Sequence, residues 1–174
     1  MNLTLLDKND EGRVNLIKFP LQTKGMASPP ELELHLWNRK DKTSEFTATE
    51  LEVSCVTYDK TITSNTDYKG WEIINENLVE CKSFGVVGTG IVDDANSSFT
   101  PIGKTAHLHL GDIPVNCARK IFFRLKTISG NSTENALFFI KIKYNYSREK
   151  VLANTQDVSI NRLIFPTFLG EIFI

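Results

Sequence analysis

The feature of this sequence that most restricts its fold is a two-residue alternation of apolar and polar side chains that returns along most of its length. A strand sends successive side chains to opposite faces, so such alternation marks a strand with one face in a core and the other in water. Glu31-Leu32-Glu33-Leu34-His35-Leu36 shows it most cleanly, and Glu50-Leu51-Glu52-Val53-Ser54-Cys55 repeats it. Farther on, Ala106, Leu108 and Leu110 alternate with Thr105, His107 and His109, and Ile121, Phe123 and Leu125 with Lys120, Phe122 and Arg124. A longer run places Phe138, Ile140, Ile142, Tyr144 and Tyr146 opposite Lys141, Lys143 and Asn145, which predicts a long central strand. Shorter strands are expected at 71–74, 78–84 and 85–92, with Gly85, Gly88 and Gly90 signalling a bulge or tight turn.

Turn-forming clusters punctuate these runs, among them Ser28-Pro29-Pro30, the segment 38–44, Pro101 to Gly103 and Gly111 to Asn116. No window sustains a helical apolar stripe. A sheet with one apolar face must cover it with another layer, so the expected fold is all-β: an antiparallel β-sandwich, Ig-like or jelly-roll, of about seven to eight core strands. At 174 residues one domain is expected. Residues 1–27 read as an N-terminal arm, 28–150 as the sandwich, and 151–174 as a C-terminal strand or arm that packs on the sandwich or on a neighbouring subunit.

Twenty basic against twenty-one acidic residues give a formal net charge of −1, which supplies no field for gathering nucleic acid or an anionic membrane. Lys120, Arg124, Lys126, Lys141 and Lys143 read as one solvated face. No segment approaches the roughly 20 apolar residues of a membrane span, and Asp7 and Asp10 stand where a signal peptide needs a cationic start and an apolar run, so synthesis and retention on the cytosolic side are expected. Cys55, Cys81 and Cys117 are odd in number and widely spaced, which suits reduced thiols, with Cys55 and Cys81 as small core hydrophobes.

Candidate chemistry is sparse. His107 and His109 share one face of a strand, a spacing found in metal and cupin-like sites; with His35 they also read as polar groups on outward strand positions. A site there would need a carboxylate, for which Glu31, Glu33 and Asp112 are the choices. Asp93 and Asp94 with Asn96 and Ser98 lack the spacing of a calcium loop. No nucleophile elbow or phosphate loop is present in the sequence, so no catalytic residue, metal or cofactor is assigned. Trp37 and Trp71, with Tyr58 and Tyr68, could form an aromatic platform for a sugar, or simply pack at strand ends.

Three stretches carry a resemblance: Glu31-Leu32-Glu33-Leu34-His35-Leu36-Trp37-Asn38, the Phe99-Thr100-Pro101-Ile102-Gly103 turn, and Leu110-Gly111-Asp112-Ile113-Pro114 followed by Arg119-Lys120-Ile121-Phe122-Phe123-Arg124. Over residues 31–146 the chain resembles Ig-like modules in virion proteins of tailed bacteriophages. That resemblance implies a non-catalytic structural or accessory subunit, made in the host cytoplasm and assembled into a tail, neck or capsid surface with other virion proteins and copies of itself. It implies no functional residue. Strand addition and arm exchange would supply the contacts, and the apolar terminal segments are the candidates: Val14, Leu16 and Phe19, then Phe168, Leu169, Ile172, Phe173 and Ile174. The C-terminal run could equally close the domain's own sandwich. Alternative readings are a carbohydrate- or host-surface-binding module using Trp37 and Trp71, and a small cupin-like metalloenzyme built on His107 and His109.

Overall fold

The structure, a computed structural model, describes residues 3–19, 29–38, 47–56, 70–87, 97–126, 138–147, 149–151, 162–164 and 168–173. Ile174, Tyr58, Tyr68, Gly88, Gly90 and the Asp93–Asp94 loop lie outside them. Within them the chain is an antiparallel β-sandwich. One sheet has the order β1(Leu3–Asp7), β2(Leu32–Asn38), β7(Ala118–Leu125), β4(Val79–Val87), β5(Thr100–Ile102). The facing sheet runs β11(Phe168–Phe173), β8(Phe139–Ser147), β3(Thr47–Val56), β6(Leu108–Ile113). A separate antiparallel pair joins β9(Glu149–Val151) to β10(Arg162–Ile164), and one short helix, α1(Gly70–Asn75), precedes β4.

The alternation predicts which side chains meet. Leu3, Leu5, Leu34, Leu36, Val79, Cys81, Ile121 and Phe123 from the first sheet form one buried cluster with Ala48, Leu51, Val53, Cys55, Leu108, Leu110, Ile140, Ile142 and Tyr144 from the second. Burying each large aliphatic or aromatic of this set contributes about 1.5–3 kcal/mol. Cys55 and Cys81 are fully buried free thiols, and burial pushes both far above the ordinary cysteine range, with Cys55 adding to the effect on Cys81. Such thiols pack as small hydrophobes.

Several local expectations change. Residues 71–74, expected as a strand, lie in α1, whose adjacent Ile73 and Ile74 both enter the core. A helix of six residues is too short to show a 3.6-residue period, so the sequence carries no sign of it. Residues 101–103, expected as a turn, include the end of β5, where Pro101 is tolerated because β5 is an edge strand. The expected turn at 111–116 starts later, because β6 continues to Ile113 through Gly111, whose φ of 75° suits glycine. The bulge expected near Gly85 is present: the β4–β7 register shifts between Ser83 and Val86, and Gly85 has a φ of 72°. The segment expected to begin as an arm contains β1, which pairs with β2 from Leu3↔Asn38 to Asp7↔Leu34.

Two polar ties hold the layers where the chain crosses from β6 to β7. Asn38, fully buried on β2, donates its Nδ2 to the carbonyls of Ile113 (3.0 Å) and Pro114 (3.3 Å). Arg119, also buried, points between the sheets and donates Nη2 to the Asp112 carbonyl (3.0 Å) and Nη1 to Ser83 Oγ (3.4 Å). Buried carbonyls that leave a sheet ladder must find other donors, and these two side chains supply them.

At the other crossing, from β5 to β6, Gly103 accepts from the Cys55 N–H (3.2 Å) while the Ile74 carbonyl accepts from Lys104 N–H (3.0 Å). A Cβ on Gly103 would stand 1.9 Å from Asn77 Oδ1 and 2.4 Å from the Ile74 carbonyl oxygen. The Ile74 oxygen is backbone and cannot swing aside. Gly103→Ala is therefore expected to cost about 1–3 kcal/mol, read as a lower denaturant midpoint at unchanged slope. Asn38→Ala leaves two carbonyls without their side-chain donor and is expected to cost about 1–3 kcal/mol in the same measurement.

Candidate functional site: sheet edges and charged outer faces

A strand at the edge of a sheet offers unpaired backbone groups to any matching strand, and folded proteins usually blunt such edges. Among the described residues, three of the four edges of the two main sheets are blunted. Beyond β1, the chain turns back so that Val14 N–H donates to the Leu5 carbonyl (2.9 Å), Asp7 N–H donates to the Gly12 carbonyl (2.9 Å), and Leu6 bridges Arg13. The edge at β5 is three residues long and includes Pro101. The edge at β6 is broken by register shifts against β3, with Glu50 at a φ of 52° and its N–H held by Asp112 Oδ1 (3.0 Å).

The fourth edge is β11. It runs antiparallel to β8 without interruption from Phe168↔Tyr146 to Phe173↔Lys141. Among the described residues β8 is its one strand neighbour. Phe168, Leu169, Ile172 and Phe173 thus all stand on the regular outer strand of the four-stranded sheet. The expected N-terminal contacts behave differently from one another. Leu16 is 61% exposed, while Val14 and Phe19 pack against the core and Phe19 stacks on Phe138 with ring centroids 6.0 Å apart.

The basic residues expected on one solvated face divide between two. Lys120 and Arg124 are on β7, with Lys126 just beyond it, whereas Lys141 and Lys143 are on β8 of the facing sheet. Alternation tells which face of a strand is wet but not which sheet the strand joins. On the first sheet, Glu80 receives Arg124 (2.6 Å) and Lys126 (3.4 Å), Glu31 receives Lys82 (2.9 Å), and Glu33 receives Lys120 (3.6 Å). Lys82 Nζ also lies 4.3 Å from the Phe99 ring centre, and the Arg124 guanidinium lies 3.9 Å from it. On the second sheet, register sets Glu171, Lys143, Glu52 and His109 at opposed positions in one transverse row.

The histidines also separate. His35 was expected on an outward position in water, yet it is 5% exposed. The turn after β1 lays Asp10 over this face, so that Asp10 Oδ1 meets His35 Nδ1 (2.9 Å) and receives the Trp37 indole N–H, and Glu33 Oε1 meets His35 Nε2 (3.2 Å). Trp37 is accordingly half-buried with its N–H engaged, on β2, and Trp71 belongs to α1. His107 and His109 share a carboxylate, but it is Glu52, at 3.1 and 3.8 Å, and not Glu31, Glu33 or Asp112. Glu52 escapes a sequence reading because it becomes their neighbour only through β3–β6 pairing. Among the described residues no group of three or more histidines, cysteines and carboxylates is arranged to hold a metal ion.

Comparison with protein-family models, with curated proteins and with solved structures returned no match.

The cover over the β1 edge depends on one carboxylate. Asp7 accepts from the backbone N–H groups of Asn9 (3.0 Å), Glu11 (3.1 Å) and Gly12 (3.1 Å), closing the turn that carries residues 12–14 back along the strand. The Glu11 N–H above all, with those of Gly12, Asn9 and Asp10, holds its carboxyl below the ordinary 3.8, against an opposing effect of desolvation. A folded value below the unfolded one means a contribution that is whole above the unfolded value and is lost as pH falls through the folded one. The Val14 amide is therefore expected to stay protected from hydrogen exchange at neutral pH, and to lose protection at acid pH below 3.8 and in Asp7→Ala at any pH.

Proposed function

We propose that this chain is a non-catalytic structural or accessory protein of a tailed-bacteriophage particle. It is made in the host cytoplasm and assembles with other virion proteins and with copies of itself through strand edges and terminal segments. The observation that carries this reading is the contrast among the edges: three are covered, shortened or broken, and β11 is regular, apolar in sequence and, among the described residues, paired on one side alone. An edge of that kind exposes the chain to aggregation unless a partner uses it. Strand addition would take its affinity from main-chain hydrogen bonds and its selectivity from alternate side chains.

Two further observations support the reading. The stretches 31–38, 99–103, 110–114 and 119–124, which carry the resemblance to phage virion modules, fall largely on the strands β2, β5, β6 and β7, which supports a framework role for them. The polar side chains on both outer faces are largely spent on one another, as in Arg124–Glu80 and His107–Glu52, which suits a subunit that meets neighbours by shape.

Mass spectrometry of particles purified from the phage or prophage that encodes the chain tests this. Peptides from 28–150 are expected in the purified particle at a stoichiometric ratio to a tail, neck or capsid protein. Intact particles without them, from a lysate that contains the chain, would remove the proposal.

A further inference from the structure

We infer that the cover over the β1 edge is a proton-operated latch, closed while His35 carries a proton on both ring nitrogens and loosened when one of them is given up. His35 Nδ1 lies 2.9 Å from Asp10 Oδ1, and Nε2 lies 3.2 Å from Glu33 Oε1. A carboxylate only accepts, and a neutral imidazole has a single N–H, so a neutral ring serves one of these oxygens and sets a lone pair against the other. The imidazolium, with a donor on each nitrogen, serves both, and its hydrogen bonds are charge-assisted. Because His35 is buried on its sheet, the ring meets these carboxylates in place of bulk water.

The charges around the ring identify which proton leaves. Asp10 comes from the turn, Glu33 from β2 itself, and Lys120 from β7, where it stands opposite His35; on the β1 side the opposite residue is the uncharged Leu6. Asp10 Oδ1 also receives the Trp37 indole N–H, which fixes it in place. Glu33 Oε1 lies 3.6 Å from Lys120 Nζ and so has a second cation to turn to. The Nε2 proton is therefore the one given up. Nδ1–H then still reaches Asp10, but as a neutral donor, which makes a hydrogen bond of roughly half the strength.

The turn depends on these contacts at its tip. Asp10 has a φ of 63°, a left-handed conformation that side chains with a Cβ resist, so the backbone alone does not hold it over the strand. Closing the turn and binding the second proton favour each other, because coupling between two events is reciprocal. The contribution of His35 is thus present while the ring is doubly protonated and is lost as pH rises. At the acid end the cover fails for a different reason, the protonation of Asp7, whose carboxyl sits below the ordinary 3.8. The β1 edge is therefore covered over a window of pH bounded by a different residue at each end.

Nuclear magnetic resonance of the full chain, followed from about pH 5 to about pH 9, tests the inference. The chain has three histidines, so the double variant His107→Gln, His109→Gln leaves His35 as the one imidazole signal. Both ring nitrogens of His35 are expected to be protonated at the acid end and Nε2 to lose its proton as pH rises. Over the same midpoint the protection factor of the Val14 amide, which bonds the Leu5 carbonyl, is expected to fall about fivefold or more. Asp10→Asn keeps an acceptor for His35 and Trp37 but removes the charge, and is expected to move that midpoint to lower pH. His35→Gln is expected to leave Val14 less protected and indifferent to pH across this range. A folded chain whose His35 holds a single ring proton throughout, Val14 protection that ignores the state of the ring, or a midpoint unmoved in Asp10→Asn would overturn the inference.

Discussion

The sandwich depends on carrying the chain from β6 to β7 without stranding backbone carbonyls between its layers. Both inner faces are apolar, and their burial supplies the drive to stack, but a chain that crosses between sheets must break its ladder at the crossing. An unsatisfied buried carbonyl costs about 1–3 kcal/mol, a large share of a typical domain's net stability. Asn38 and Arg119 meet that demand from the opposite sheet, on the carbonyls of Asp112, Ile113 and Pro114. They also fix where the two sheets stand against each other, because a hydrogen bond has a direction and an apolar contact does not. Asp112 belongs to both sides of this arrangement: its carbonyl accepts from Arg119, and its carboxylate holds the Glu50 N–H at the β3 bulge.

That same bulge disrupts the β6 edge, so closing the core and blunting one edge have a common origin. The β1 edge is closed by a different device, the Asp7-capped turn. The turn also brings Asp10 over His35 and Trp37, and it converts part of the outer face of the first sheet into a second, polar layer of packing. Among the described residues, the edge without such a device is on the other sheet, at β11.

Much of the framework was legible in the residues. The alternation placed β2, β3, β6, β7 and β8 and most of their buried positions, because a period of two survives even in a short window. The glycine at 85 marked the β4 bulge. Other features were not legible for stated reasons. Trp71 falls in a helix of a turn and a half, shorter than its own period needs to be seen. Thr100 to Ile102 reads as a turn because proline usually ends a strand, and only its place at a sheet edge makes the proline acceptable. The candidate site was legible in part: the apolar run containing Phe168 to Phe173 could be recognised as strand-forming, but not whether its partner was β8.

By itself the sequence determined that the chain is built of strands with one wet face, which side chains of each strand are apolar, and that its charges balance. These are local properties, set by the pleat and by the order of residues. Only the tertiary structure decided which strands are neighbours, and with that the separation of Lys120 and Arg124 from Lys141 and Lys143, the burial of His35, the meeting of His107 and His109 with Glu52, and the place of β11 at the end of its sheet beside β8. Pairing joins residues far apart in the chain, and any wet-faced strand can in principle accept several neighbours. The choice among them is made by closing one core with every crossing carbonyl satisfied, a condition that no local stretch of sequence contains.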